Sequence, residues 1–129
     1  MKKLTFSWGH VLGLTMVALL STFSLSAFGQ SKTSVKGEVL DMNCYMAAGK
    51  HGAGHKQCAE MCLKGGSPAG LLTSSGKVYL LIEDHSNPDP YAEARKYPAS
   101  QIEVNGKAVS HGGVEALVVE KVTPMGKSM

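Results

Sequence analysis

The sequence predicts a small, mainly-β domain built from five short strands and two short helical segments. Runs of apolar or alternating residues that suit strands recur between positions 35 and 122. Glycine, asparagine and proline residues that form turns separate these runs, a pattern typical of small barrels and sandwiches. Helical character is confined to two short stretches, near residues 55–64 and 91–97.

The N-terminal segment has the three parts of a secretory signal peptide. Lys2 and Lys3 form a charged start, residues 11–20 form an apolar core, and residues 27–29 place Ala and Gly where a signal peptidase requires small side chains. The apolar run is short and is interrupted by Gly and Thr, which disfavours the alternative of an uncleaved membrane anchor. We therefore predict cleavage after residue 29 and export to the periplasm or the extracellular space.

Removal of the signal peptide leaves one small domain of almost neutral charge. We assign residues 1–29 to the signal peptide, residues 30–123 to the domain and residues 124–129 to a disordered tail. Cleavage removes two lysines and no acid, so eleven of the 13 basic residues face 10 acidic ones and the net charge falls from +3 to +1. A net charge near zero does not provide the positively charged surface that binds nucleic acid or anionic lipid. Nucleic-acid partners are therefore excluded, and no membrane association is expected after cleavage.

A cysteine-containing segment separates the first predicted strand from a predicted hairpin. Residues 35–41 alternate in polarity, imperfectly, and predict the first strand. After a glycine-rich loop, residues 55–64 predict a short helix that ends at Gly65. Residues 70–72 and 78–82 flank a Ser- and Gly-containing turn, which predicts a hairpin formed by strands two and three.

The second half of the domain predicts one helix followed by two strands. Pro90 suits the first turn of a helix over residues 91–97, which a second proline ends. Residues 101–109 predict a hairpin-like unit around an Asn105-Gly106 turn. Residues 114–122 include a continuous apolar run and predict the last strand.

The order of these elements matches the five-stranded Greek-key barrel called the OB-fold. We predict a mainly-β, OB-like barrel with a Cys-containing helical insert between strands one and two and a short helix between strands three and four. A twisted antiparallel α+β sheet is the alternative. In either fold the insert occupies the connection between the first two strands, which OB-like domains use for binding.

Three cysteines and a histidine occur close together, and the chain has no other cysteine. On a helix, His55, Cys58 and Cys62 share one face because of their i, i+3, i+7 spacing, and we expect Cys44 to approach from the preceding loop. Thiolates and imidazole suit Cu(I) and Zn(II). We therefore predict a Cys3His site that binds a copper or zinc ion for handling or sensing, without turnover. Copper is preferred because the site is exported and methionines lie nearby.

Four further side chains near the cluster are candidate additional ligands. His51 lies one helical turn before His55 and offers an alternative imidazole. Met42, Met46 and Met61 offer soft thioether sulfurs, although methionine is more often a core-filling residue. The predicted partner is accordingly a metal ion or a protein of the cell envelope.

A series of short motifs runs through the domain. They are Val35-Lys36-Gly37-Glu38-Val39-Leu40-Asp41, Cys44-Tyr45, His55-x2-Cys58-Ala59-x2-Cys62 and Gly76-Lys77-Val78-Tyr79-Leu80. In these motifs the chain resembles a group of small exported bacterial OB-like proteins of uncharacterised function. The resemblance implies the fold and the compartment, and it implies no substrate or reaction. The C-x3-C pair alone resembles the thiol pair of exported copper-delivery proteins of cytochrome oxidase assembly.

Two other uses of the cysteines remain open at this point. Exported proteins are oxidised, so Cys44 would form a disulfide with Cys58 or Cys62 and staple a non-catalytic binding module. Thiol–disulfide exchange would instead require Cys58 or Cys62 to be exposed and to have a lowered pKa. The sequence contains no nucleophile elbow, Walker loop or dinucleotide-binding motif, so no other enzymatic chemistry is predicted.

Overall fold

Five strands close into a barrel in the computed structural model, which describes residues 31–126 of the 129-residue chain. The strands are β1 (Ser31–Asp41), β2 (Ala69–Leu72), β3 (Val78–Ile82), β4 (Gln101–His111) and β5 (Val114–Pro124). Around the barrel their order is β1-β2-β3-β5-β4, and β4 pairs with β1 to close it. The prediction of a mainly-β domain of five strands is therefore confirmed.

Helical segments occupy two of the connections between strands. Between β1 and β2 lie α1 (Met42–Ala48), a 3₁₀ turn (Ala53–His55) and α2 (Lys56–Lys64), and between β3 and β4 lies α3 (Asp89–Ala94). Pro90 stands in the first turn of α3, as predicted. The helix ends before the predicted position because the chain then continues in tight turns, the first of which joins the Lys96 N–H to the Glu93 carbonyl at 3.0 Å.

Cys44 lies in α1, and the prediction that it lies in a loop is wrong. The Asp41 carboxylate caps α1 by accepting a hydrogen bond from the Asn43 N–H at 3.1 Å. Gly49 ends the helix with φ 63°, and its N–H donates to the Tyr45 carbonyl at 2.7 Å. α1 has only seven residues and none of them is buried, so the segment is too short for its apolar residues to distinguish a helix from a loop.

β1 closes the barrel because it pairs with two neighbours. Its residues 31–38 lie antiparallel to β4, and its residues 38–41 lie antiparallel to β2. β3 and β5 are parallel, whereas the other neighbouring strands are antiparallel. The last residue of β1, Asp41, is also the cap of α1, so the barrel leads directly into the cysteine-containing segment.

β4 is one continuous strand, and the predicted hairpin around Asn105-Gly106 is wrong. β4 pairs with β5 on both sides of this dipeptide, with a bulge where β5 contains the extra residue Glu120. A Cβ on Gly106 would lie 2.0 Å from the Val118 carbonyl oxygen, so glycine permits the close approach of the two strands. Because Asn-Gly favours a tight turn and a strand glycine favours a bulge, the two residue types alone do not distinguish these structures.

The core of the barrel includes residues from two of the helices. Leu63 of α2 and Ala94 of α3 are buried together with apolar residues of the strands. Arg95, directly after α3, donates a hydrogen bond to the Leu63 carbonyl. The strand residues of this core are Val39, Ala69, Leu71, Leu81, Ile102, Val104, Leu117 and Val119. These contacts hold α2, which carries two of the three cysteines, against the barrel.

Two assignments made from the sequence extend beyond the described residues. The signal peptide, residues 1–29, lies outside them, as do positions 127–129 of the predicted tail, residues 124–129. At the near end of that tail, the Met125 N–H donates to the Gln101 carbonyl at 3.0 Å. Within residues 31–126, no helix has the length and apolar character needed to cross a membrane.

Candidate metal centre

Cys44, Cys58 and Cys62 meet at the end of β1, between α1 and α2. α1 follows β1 without an intervening loop, so Cys44 is held in its first turn. α2 buries Ala59 and Leu63, and each of these residues directly follows one of the two other cysteines. Burial of this apolar face therefore sets the rotation of α2 that brings both thiols to Cys44.

The three thiols form a triangle of the size that one metal ion requires. Their sulfurs all lie within 4.8 Å of one another, and Cys44 Sγ is 4.0 Å from Cys62 Sγ. Two sulfur ligands, each about 2.3 Å from one ion, are about 3.8–4.0 Å apart at tetrahedral and trigonal angles. All three cysteines are free and partly buried. We call Cys44, Cys58 and Cys62 the thiol triad.

A second group of donors shares Cys44 with the thiol triad. Asp41, Cys44 and His55 each offer one ligand atom, and these atoms also lie within 4.8 Å of one another. His55 Nε2 is 3.8 Å from Asp41 Oδ2, and the Asp41 side chain is 0% exposed and that of His55 12% exposed. We call Asp41, Cys44 and His55 the mixed triad. The structure thus places His55 beside Asp41 and Cys44.

Two polar atoms of the mixed triad have no hydrogen-bond partner. Asp41 Oδ2 and His55 Nε2 are the buried side-chain nitrogen and oxygen atoms left unpaired within residues 31–126. Their separation of 3.8 Å is too long for a hydrogen bond. An unpaired buried polar group costs about 1–3 kcal/mol, so this pair of atoms is a site at which a bound cation would be stabilised.

The other carboxylate oxygen of Asp41 is fully engaged and fixes the side chain. Oδ1 accepts hydrogen bonds from the Ser67 hydroxyl and from the Asn43 N–H. The adjacent Met42 N–H donates to the Pro68 carbonyl at 3.0 Å, which ties the start of α1 to the segment before β2. Asp41 is therefore pre-positioned, with Oδ2 directed toward His55.

Sequence reasoning missed Asp41 and Ser67 as members of the site. The available signal was that the charged residue Asp41 lies two positions after Val39 in the predicted first strand. Side chains two positions apart in a strand point to the same face, and Val39 is buried. A charged side chain at such a position needs partners. Ser67 carried no comparable signal, because its contact with Asp41 spans 26 residues of sequence.

Hydrogen bonds set the protonation state of the cluster. Burial raises the pKa of the Asp41 carboxyl, but the hydrogen bonds from Ser67 and Asn43, together with the nearby Cys44 thiol, outweigh it and hold the pKa below its usual value of 3.8. The nearby Asp41 carboxylate, together with burial and the neighbouring Cys62, raises the pKa of the Cys44 thiol to about 12. Burial, reinforced by Asp41, also raises the pKa of the Cys62 thiol. Both thiols are therefore protonated near neutral pH until a metal displaces their protons.

His51 lies outside both triads. Its Nδ1 is 3.5 Å from Glu38 Oε2, and its ring packs edge-on against Tyr45 with 6.0 Å between centroids. The Glu38 carboxylate also accepts a hydrogen bond from the Gly52 N–H. His51 thus belongs to the contacts that fasten the loop between α1 and α2 to the barrel.

The three candidate methionines differ in their surroundings. Met42 packs over Gly70, where its Sδ occupies the space that a side chain at that position would need. Met46 and Met61 are 72% and 63% exposed. Met42 is therefore a packing residue, and the other two thioethers face solvent.

The donor set of the cluster combines soft and borderline ligands. Thiolates suit Cu(I) and Zn(II), imidazole suits several transition metals, and a carboxylate adds a hard oxygen. Comparisons with protein-family models, with curated proteins and with solved structures found no match to this chain. The five side chains of the thiol triad and the mixed triad can therefore bind cations through deprotonated thiols, one imidazole and one fixed carboxylate.

Proposed function

We propose that this protein is an exported domain that binds copper or zinc through Cys44, His55, Cys58 and Cys62, for metal handling or sensing. The observation that carries the proposal is the convergence of three thiols to within 4.8 Å of one another, next to a partly buried imidazole. Thiols brought together from two helices, at the separation of metal ligands, match the donor set of a closed transition-metal site. Copper is preferred because three sulfurs make the softest part of the site.

The wider architecture supports an OB-like domain in the cell envelope. The barrel order with parallel β3 and β5 is consistent with an OB-like Greek key that carries α1 and α2 as an insert between its first two strands. The composition of residues 1–29 supports export. In that compartment the partner is the metal ion itself or an envelope protein that supplies or receives it.

Metal analysis of native protein, purified under reducing conditions, tests the proposal. We expect close to one copper or zinc ion per chain, lost in Cys58→Ser and in Cys62→Ser. His111→Gln is the matched control, because His111 is an exposed residue at the far end of β4 and its loss should leave the metal content unchanged. Protein that takes up neither Cu(I) nor Zn(II) more tightly than about micromolar, or about −8.2 kcal/mol, would contradict the proposal.

A disulfide between Cys44 and Cys62 is the second candidate, and their separation of 4.0 Å favours that pair. Side-chain rotation would be needed to bring the sulfurs to the bonding distance of about 2.05 Å. The protein would then be a stapled, non-catalytic binding module with Cys58 left as a free thiol. Non-reducing peptide mapping distinguishes the two functions, because a stoichiometric Cys44–Cys62 bridge in freshly isolated protein supports the module and three free thiols support the metal site.

An attacking role in thiol–disulfide exchange is disfavoured for Cys44 and Cys62 by the electrostatics of the cluster. Such catalysis needs an attacking thiol with a lowered pKa. The pKa values of Cys44 and Cys62 are both raised, the first to about 12. We therefore propose a binding function without turnover.

A further inference from the structure

The cluster contains more ligands than one ion uses. The thiol triad and the mixed triad together supply five donors, with Cys44 common to both. A structural site of the Cys-and-His type is almost always four-coordinate. Three thiolates around one ion leave a single position, so Asp41 and His55 cannot both complete it.

The geometry of Asp41 and His55 fits an ion better than a direct hydrogen bond. Two oxygen or nitrogen ligands at about 2.0–2.1 Å from a tetrahedral ion are about 3.4 Å apart. The observed separation of Oδ2 and Nε2 is 3.8 Å, so a contraction of a few tenths of an ångström suffices. A hydrogen bond would require these atoms to approach to about 2.9 Å.

We propose that Asp41, Cys44 and His55 form a second metal position beside the thiol triad, bridged to it by the Cys44 thiolate. In this arrangement the thiol triad holds one soft ion, and the mixed triad holds a borderline divalent ion such as Zn(II) or Co(II). The inference rests on the proposed function for the thiol triad, because the two positions share Cys44. With a single ion bound, His55 serves as the fourth ligand of that ion.

Charge supports two cations at this place. Fully ionised, the three thiolates and the Asp41 carboxylate carry four negative charges within a partly buried cluster. One Cu(I) or one Zn(II) offsets only one or two of them, and buried charge without compensation is costly. A monovalent and a divalent ion together reduce the net charge to −1, which favours occupancy of both positions.

The mixed triad also has the composition of an open site. It contributes one oxygen, one nitrogen and one shared sulfur, which leaves a fourth tetrahedral position for water or another exogenous ligand. The divalent ion is therefore expected to exchange more readily than the ion enclosed by three thiolates.

Sequential loading of reduced protein under anaerobic conditions tests the inference. Cu(I) is added first to one equivalent, and Co(II) is then titrated while its thiolate absorption is recorded. We expect the native sequence to bind one Cu(I) and one Co(II) per chain. Asp41→Asn should retain Cu(I) and lose Co(II), with at least a tenfold fall in Co(II) affinity, and His55→Gln should show the same fall in Co(II) affinity.

The variants are chosen to preserve the fold. In Asp41→Asn the side-chain amide oxygen still accepts hydrogen bonds from the Ser67 hydroxyl and the Asn43 N–H, and His55 makes no capping hydrogen bond with its side chain. His51→Gln is the matched control, because it removes a neighbouring imidazole outside both triads and should keep both ions. Circular dichroism establishes that each variant is folded.

Three outcomes would overturn the second position. They are a native protein that binds one ion in total, Co(II) uptake unchanged in both Asp41→Asn and His55→Gln, and loss of both ions in folded Asp41→Asn. Failure of the proposed function itself gives a different result, in which the native protein binds no Cu(I) or retains it in both Cys58→Ser and Cys62→Ser.

Discussion

At the scale of single residues, the Cys44 thiol beside the Asp41 carboxylate keeps its proton, and a metal has to displace it. With a pKa of about 12 this thiol is protonated at neutral pH. Each proton displaced by the metal raises the apparent affinity about tenfold per pH unit. We therefore expect metal affinity to increase by at least about one decade per unit between about pH 6 and 9, measured by competition with a chelator of known affinity.

The control for this pH dependence is His51→Gln, because His51 pairs with Glu38 outside the triads. We expect this variant to keep the slope of the native protein. An affinity that does not change with pH would show that the thiols are already ionised before the metal binds, contrary to the raised pKa values of Cys44 and Cys62.

Asp41 also has a structural role that can be measured without metal. Asp41→Ala removes the cap of α1 and leaves the buried Ser67 hydroxyl without its acceptor, so we expect the free energy of unfolding to fall by about 1–3 kcal/mol. Asp41→Asn should cost less, because an amide oxygen still accepts both hydrogen bonds. Urea unfolding of the metal-free proteins measures the difference, and equal stability of Asp41→Ala and the native protein would contradict this role.

The contribution of the Asp41 charge depends on pH in a defined direction. Its pKa lies below the usual value of 3.8 in the folded protein, so the folded state favours the ionised form. This stabilisation is fully present above the unfolded pKa and is lost as the pH falls through the folded one. We expect the stability difference between the native protein and Asp41→Asn to change only below about pH 4.

The thiol triad could largely be predicted from the residues alone, whereas the mixed triad could not. The spacing of Cys58 and Cys62 predicted a shared helical face, because i and i+4 positions are neighbours on any helix, and α2 carries both. His55 lies just before α2, in the 3₁₀ turn, and groups with Asp41 and Cys44 instead. Asp41 could not be ranked as a ligand, since its closeness to His55 depends on how the segment after β1 folds back. The periodicity of a segment predicts which of its residues share a face. It does not predict which residues of two separate segments come together, because that depends on how the segments pack.

At the scale of elements, the close approach of β4 and β5 depends on Gly106. A Cβ there would lie 2.0 Å from the Val118 carbonyl oxygen, so Gly106→Ala has to push the two strands apart. We expect a loss of about 1–3 kcal/mol in the free energy of unfolding. Gly54→Ala is the control, because nothing lies within 4 Å of its Cβ and its φ is not positive. Equal effects of the two changes would contradict this account.

The elements themselves differ in how well the sequence predicts them. The hairpin of β2 and β3 and the end of α2 at Gly65 follow from turn and cap residues in the immediate neighbourhood. The continuous β4 does not, because it depends on a bulge formed with β5. The caps of α1, Asp41 and Gly49, are adjacent to the helix in sequence, but the same residues also suit the end of a strand and a glycine-rich loop. A local signal therefore predicts an element when it fits one structure and fails when it fits two.

At the scale of the whole molecule, a bound metal joins α1 to α2 and should stabilise the domain. A ligand that binds only the folded state adds about 2.7 kcal/mol at a free concentration of about 100 times Kd. We expect an increase in Tm on loading with Cu(I) or Zn(II), reversed by a chelator and absent in Cys62→Ser. An unchanged Tm in the presence of saturating metal would contradict binding to the folded domain.

Export is the second prediction at this scale. Intact-mass analysis of protein recovered from the periplasm or the medium should show loss of residues 1–29. A full-length mass in the membrane fraction would contradict cleavage and would favour an uncleaved anchor.

The position of the cysteine-containing segment along the chain has a consequence for the order of folding events. Cys44 and Cys62 are separated by 18 residues, whereas Ser34 of β1 and Glu103 of β4 make contact across the barrel closure at a separation of 69. Loop closure at the shorter separation costs about 1 kcal/mol less entropy. The thiols can therefore come together in a chain whose barrel is still open, and a metal ion present at that stage would capture them before β1 finds β4. Folding in the presence of metal would therefore follow a different pathway from metal binding to the already folded protein.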